Sequence, residues 1–482
     1  MSKHVSSLEL ALQPRTPATP LTRWLYEGLR AAILDGRLSP GTRLPATRDL
    51  ARQYNISRGT VVTAFEQLES EGYLLGCVGS GTRVNERLPA RILGAGKRQI
   101  PAIKVPASVR GLPFSRPARP FRPYEPAIAE FPTEIWARVA GRRLRRSSAS
   151  LLTIGEPAGY RPLRQAISAY LGSSRGANCC ADQIAVVSGV QQGLDLLARI
   201  LVSPGDAVWM EDPGYFGAAA AFRNVRAKII PVPVDEQGLI VSQGERSFRR
   251  AKAAYLTPAH QCPLGMTMSL ERRFAILAWA RSSRAFILED DYDSEFRFGS
   301  QPVPALQGLD IDGRVILVGS FNKVLFPSLR MGYVVLPPKL VDPFLGLRMA
   351  ADICPPCLDQ AILCDFIVEG HFGRHLRRMR ELYAHRLGVL QDSARKYLAG
   401  LLDLSPVQAG LNTVGFLRNG MPSRAAEEAA TARGIETAAI SRFTLGRTDR
   451  HGLQLGFAAF DEHEIRRAAA TLASALQIPG QL

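Results

Sequence analysis

The sequence predicts two domains of different class, a small α+β unit followed by a large α/β domain with a mainly parallel sheet. Three observations carry this. The chain has 482 residues, more than one hydrophobic core usually organises. Its composition breaks sharply at residues 87–126, where eight prolines and nine cations accompany one acidic residue. Beyond that break, short apolar runs alternate with helical stretches for about 350 residues. Apolar residues make up 46% and charged residues 21%, an ordinary globular balance that excludes wholesale disorder. No apolar run approaches membrane-spanning length, and the amino terminus lacks the pattern of a secretory signal. Seven irregularly spaced cysteines do not make a disulfide framework. A cytoplasmic protein without a membrane partner is expected.

The small domain is placed at residues 1–86. Leu25, Leu29, Ala32 and Ile33 recur at helical spacing, and Asp35-Gly36 supplies a stop. Pro45 can open a second short helix through Ala51 and Tyr54. Ser57 is a good cap for a third, whose buried stripe is Val61, Phe65 and Leu68, with Val62 beside it. Its other face carries Arg58, Thr60, Thr63 and Gln67. After Gly72 the run YLLGCVGSGTRV alternates around Gly79-Ser80-Gly81 and reads as a two-stranded hairpin. Three helices and a hairpin describe a winged helix-turn-helix.

The net charge is +17, which favours polyanionic partners. Residues 1–86 carry only +2 of it, whereas residues 87–126 carry +8. Proline removes backbone donors and extends its neighbours, so residues 87–126 read as a semi-extended linker. Its cations can contact a phosphate backbone or simply keep the segment solvated. Residues 127–482 form the large domain. Its runs QIAVVSG, AVWMED, AKIIPVPV, AAYLTP, AFILEDD and RVILVGSF read as strands of a mainly parallel sheet. In such sheets, sites gather beyond the carboxyl ends of the strands.

The run from Leu25 to Val84 closely resembles the DNA-binding domain of GntR-type bacterial regulators. The resemblance implies double-stranded operator DNA as a partner, with the third helix in a major groove. Arg48 and Arg58 are then the base-reading candidates, since a guanidinium can bond guanine through two donors. Thr47, Ser57, Thr60 and Thr63 suit phosphate contacts. Gly79 and Gly81 allow the wing to approach the minor groove.

The runs FILEDDYDSEFRF and VILVGSFNKVLFPSLRMGY resemble the pyridoxal 5′-phosphate region of fold-type I aminotransferases. The resemblance assigns Lys323 as the amine that forms a Schiff base, the one position read as catalytic. It sets Asp290 against the pyridinium nitrogen and Tyr292 near the ring's 3′ oxygen, and gives Ser320 and Arg330 to the phosphate. Upstream, VVSGVQQGLDLL looks like the strand-to-helix turn whose N–H groups hold the phosphate, with Gly189, Val190 and Gln191 at its start. Tyr215 falls where such proteins stack an aromatic ring on the cofactor, and His260 and Gln261 fall where residues can face it.

Two departures from that pattern matter. Asn322 stands where a serine or threonine is commoner. Gln454, in GLQLGF, stands where aminotransferases usually hold a substrate α-carboxylate with arginine. Arg442 can supply a carboxylate contact for an effector, or it is a surface arginine. Cys354, Cys357 and Cys364 read as reduced structural thiols, and no metal site is expected. The basic run 370–386 reads as a helix with Leu376, Met379 and Leu382 on its buried face. Taken together, the winged helix, basic linker and aminotransferase-like domain resemble the MocR (GabR-like) subfamily of transcription regulators. That implies a head-to-tail homodimer sensing an amine or amino-acid effector, or the cofactor itself. The alternative is an active aminotransferase with an appended DNA-binding domain.

Overall fold

The computed structural model describes residues 12, 14–16, 19–77, 81–88, 118–146, 151–298, 303–418, 420–446 and 450–477. The chain forms two compact units, Met1–Arg110 and Gly111–Leu482. Gly79 and residues 89–117 of the basic segment lie outside the described residues.

In the smaller unit, α1 (Leu21–Leu34) buries Leu25, Leu29, Ala32 and Ile33 against Val61, Ala64, Phe65 and Leu68 of α3 (Arg58–Ser70). Each of the larger side chains here contributes roughly 1.5–3 kcal/mol when fully buried. Between them, α2 spans Thr47–Gln53. It starts two residues after Pro45, so that proline precedes the helix instead of opening it, and Ala46 takes the extended cap conformation. Ser57 caps α3 by accepting the Thr60 N–H at 3.1 Å. Val62, expected in the stripe, is only half-buried, and Ala64 takes the inward place. The hairpin pairs β1 (Leu74–Cys77) antiparallel with β2 (Gly81–Val84). Gly81 sits at φ +84°, where other residues are strained.

The larger unit is built on an eight-stranded sheet. Its strands in chain order are β3 (Ile184–Val187), β4 (Ala207–Asp212), β5 (Lys228–Asp235), β6 (Gly238–Leu239), β7 (Ala253–Leu256), β8 (Phe286–Asp291), β9 (Val315–Ser320) and β10 (Gly332–Val335). In space they run β3-β10-β9-β8-β7-β4-β5-β6, and the five strands β9 to β5 are parallel. β10 is antiparallel to both neighbours and β6 is antiparallel to β5. Residues alternate between the faces. Val208 and Met210 join one core, and Trp209 joins the other beside Trp279. Both faces are covered, which is why the strand runs are almost continuously apolar.

A smaller antiparallel sheet follows, of β11 (Leu402–Leu404), β12 (Asn412–Leu417), β13 (Ala438–Ala439) and β14 (Gly452–Gly456), in the order β11-β12-β14-β13. The basic helix spans His371–Ser393 and buries Leu376, Met379 and Tyr383, while Leu382 is half-buried. Cys354 lies before the helix Cys357–Val368, and Cys364 is buried within it.

One part of the expected linker belongs to the larger unit. Residues 118–126 pack on it, with Phe121 fully buried and its carbonyl accepting the Gly456 N–H at 2.8 Å. Arg122 pairs with Glu436 at 2.7 Å. A Cβ at Gly456 would overlap the Arg122 carbonyl oxygen, so only glycine lets the two backbones approach. Proline spacing carries no sign of this, because the seat is made by residues some 300 positions away.

Candidate functional site

Period-two alternation sorts the acidic run at the end of β8. Glu289 turns one way and accepts the N–H groups of Leu306 and Gln307 at 2.8 and 2.9 Å. Asp290 turns the other way, and its Oδ2 accepts the Tyr255 hydroxyl from β7 at 2.6 Å. Asp291 pairs with Arg175 at 2.8 Å. The Oδ1 atom of Asp290 is buried with no hydrogen-bond partner among the described residues. Burial pushes its carboxyl up to about 6, against opposing pulls from Tyr255 and Lys323.

Lys323 lies three residues beyond β9, in the loop that returns to β10. Its Nζ is 3.9 Å from the centre of the Tyr124 ring and 4.8 Å from that of Tyr292. Burial lowers its pKa, although Asp293, Cys262 and Asp290 pull the other way. Burial therefore favours the unprotonated amine, which is the nucleophilic form. The loop is fixed from both sides. The Asn322 side chain accepts the Met331 N–H at 2.8 Å, and His375 of the basic helix contacts the Val324 carbonyl at 3.0 Å. Asn322 thus ties the loop together, a role that follows from its amide.

The same return brings Arg330 to the start of helix Val190–Leu201. Arg330 has φ +50°, and Gly189, the residue before the helix, has φ +116°. A Cβ on Gly189 would lie 3.3 Å from the Arg330 guanidinium and 3.2 Å from the Asn322 amide. Helix N–H groups at Val190 and Gln191 beside a guanidinium could hold an anion. Ser320 ends β9 and its hydroxyl accepts the Asn322 N–H at 3.2 Å. The Gln191 side chain donates to the Gly217 carbonyl at 2.9 Å and accepts the Tyr215 hydroxyl at 3.3 Å. Tyr215 is held thereby before helix Phe216–Asn224, its ring centre 6.5 Å from that of Tyr255.

On the far side, His260 is buried, with Nδ1 2.9 Å from the carboxylate of buried Asp293 and 3.3 Å from the Tyr292 hydroxyl. Gln261 does not face the site as expected. Its amide donates to the carbonyls of Pro213 and Cys262, and its oxygen accepts the Leu264 N–H, so it holds two turns together. Arg442 is likewise engaged, its Nε 2.7 Å and 2.9 Å from the two oxygens of Glu427.

Several residues here carry no recognisable signature in the sequence. Tyr255 anchors Asp290, and Asp293 orients His260; both lie inside runs that read only as strand or as context. Tyr124, which composition assigns to the linker, has its hydroxyl 3.0 Å from the Cys262 sulfur and accepts a hydrogen bond from the Gln454 amide at 2.7 Å. Its one signal is the aromatic pair Phe121 and Tyr124 at the end of a stretch rich in cations and prolines. In the smaller unit, Arg48 and Arg58 are exposed, and the Arg58 Nε lies 3.4 Å from the Thr47 hydroxyl. Ser57 and Thr60 share a hydrogen bond at 2.8 Å, and the Thr63 hydroxyl donates to the Gly59 carbonyl at 3.1 Å. Exposed Arg43 makes an isolated antiparallel backbone bridge to exposed Arg83 of β2, with its guanidinium near Gly81, and the two add cations that the motif does not single out.

Residues 129–472 match the family described as "Aminotransferase class I and II", and residues 21–84 match "Bacterial regulatory proteins, gntR family". A DNA-binding regulator built on an aminotransferase scaffold is the class these two parts define. The chain is 40% identical to the probable rhizopine catabolism regulatory protein MocR of Rhizobium meliloti, over 96% of this chain and 94% of that one. It is 31% identical to the pyridoxine biosynthesis transcriptional regulator PdxR of Corynebacterium glutamicum, over 98% and 100% of the two chains. The structure of LysN, an α-aminoadipate aminotransferase of Thermus thermophilus complexed with N-(5′-phosphopyridoxyl)-L-leucine, is 26% identical. It superposes with a TM-score of 0.68 over 74% of this chain and 91% of that one. The chain belongs to the MocR subfamily of GntR-type transcription regulators. Among the described residues, no helix is long and apolar enough to cross a membrane.

Proposed function

We propose that the larger unit binds pyridoxal 5′-phosphate on Lys323 and uses it to sense an amine or amino-acid effector, or the cofactor itself, for a DNA-binding regulator. The observation that carries this reading is the buried, unpartnered Oδ1 of Asp290 near a buried lysine whose pKa is lowered by that burial. A protonated ring nitrogen is the donor that atom lacks. The donor set elsewhere fits the same group. Gly189, Val190, Gln191, Ser320 and Arg330 would hold the phosphate, Tyr215 and His260 would flank the ring, and Tyr292 would meet its 3′ oxygen. When bound, the cofactor supplies an aldehyde that condenses with primary amines and a ring that withdraws electrons.

The protein's own part is to position and discriminate. Ligand binding must favour one of two arrangements of the DNA-binding units through differential contacts, since equal affinity for both shifts nothing. Arg48, Arg58, Thr47, Thr60, Thr63 and Gly81 would meet operator DNA, with Ser57 mainly capping the reading helix. A head-to-tail homodimer in the cytoplasm fits a two-fold operator. An active aminotransferase is the second reading, and the neutral side chain of Gln454 disfavours it.

Purified full-length protein incubated with pyridoxal 5′-phosphate is expected to gain visible absorbance that Lys323→Ala abolishes. Equal absorbance in the variant would place the cofactor elsewhere.

A further inference from the structure

Gln454 lies in the middle of β14, between β12 and β13, and is fully buried. Its amide nitrogen donates to the Tyr124 hydroxyl, and its Oε1 has no partner among the described residues. The Tyr124 ring in turn covers the Lys323 amine. A buried amide left half-satisfied is destabilising, so a ligand that completes it recovers that energy.

We infer that the effector is a primary amine bearing a hydroxyl and no carboxylate, and that Gln454 selects for the hydroxyl. The inference rests on Lys323 holding the cofactor. Gln454 is neutral, so it can pair with a hydroxyl through either end of its amide, whichever way the amide is turned. It cannot neutralise a carboxylate, and a buried anion without a cation is strongly disfavoured. Arg442 does not replace the missing charge, because its Nε lies against both oxygens of Glu427. Arg330 stands beside Gly189, at the start of the helix assigned to the phosphate. The chain itself supplies the precedent, since the group bonded to Gln454 is the neutral hydroxyl of Tyr124.

The test uses full-length protein loaded with pyridoxal 5′-phosphate and matched pairs: ethanolamine against glycine, 3-aminopropanol against β-alanine, and serinol against serine. Absorbance and operator-binding anisotropy are followed together. Each amino alcohol is expected to half-saturate the spectral change at a concentration about tenfold below its carboxylate partner. Gln454→Leu should erase that preference and Gln454→Arg should reverse it. Equal responses, or tighter binding of the carboxylates, overturn the inference while leaving the cofactor reading intact. A preference unchanged in Gln454→Leu removes Gln454 from the selection. If the wild-type protein shows no cofactor absorbance at all, the reading beneath fails and this inference falls with it.

Discussion

Asp290→Asn separates what the buried carboxylate does for ligand binding from what it costs the fold. Burial moves this carboxyl from an ordinary 3.8 to about 6 in the folded protein without ligand. A shift of roughly two units corresponds to about 3 kcal/mol. The sign follows from linkage. Below the unfolded value the group is protonated in both states, and nothing is lost. Between the unfolded value and the folded one the unfolded chain ionises while the buried group stays protonated, so stability falls across that window and the full amount is lost above about 6. Asparagine keeps an oxygen for the Tyr255 hydroxyl and never ionises. The unpartnered amide nitrogen carries its own pH-independent cost, so what the shift fixes is the difference: the variant's stability relative to wild type should rise by about 1.5 kcal/mol between pH 5 and pH 8. Denaturant unfolding of the cofactor-free full chain measures this, followed by the fluorescence of Trp209 and Trp279, which stack in the larger unit. Glu211 is also raised, to about 7, by burial. Asp290 adds a smaller push to that rise, so Asp290→Asn also relieves Glu211, a contribution of the same sign that is present above neutral pH. The same variant should bind pyridoxal 5′-phosphate more weakly, because the amide cannot hold the ring proton as a carboxylate does. A relative stability that does not rise between pH 5 and pH 8 would refute the argument.

Two further outcomes test other parts of the molecule. Arg58→Ala should reduce specific operator affinity by about 1–3 kcal/mol and leave random-sequence affinity almost unchanged, as measured by anisotropy at fixed salt; equal losses on both DNAs would place Arg58 on phosphate. Phe121→Ala should destabilise the larger unit by about 3–5 kcal/mol, because the ring is fully buried. A loss under about 1 kcal/mol in the same denaturant experiment would mean that residues 118–126 are not part of that core.

Much of this protein is written locally. The stripe Leu25, Leu29, Ala32 and Ile33 and the Ser57 cap act within a turn or two of helix, so spacing and residue type alone reveal them. The six strand runs are legible because a sheet covered on both faces demands continuous apolar sequence. The order of Asp290, Tyr292, Ser320, Lys323 and Arg330 is likewise visible, since all five lie within two neighbouring strands and their loops.

What tertiary structure decided is everything joined across hundreds of residues. The antiparallel return of β10 sets Arg330 beside Gly189. No local pattern could commit Arg442 to Glu427 or Gln261 to its turns. Most of all, Tyr124 sits in a stretch whose composition says linker, yet its ring covers Lys323 and its hydroxyl meets Gln454. Composition reports what a segment can do alone. Burial and an unsatisfied amide 330 residues away decide what it does in the folded chain.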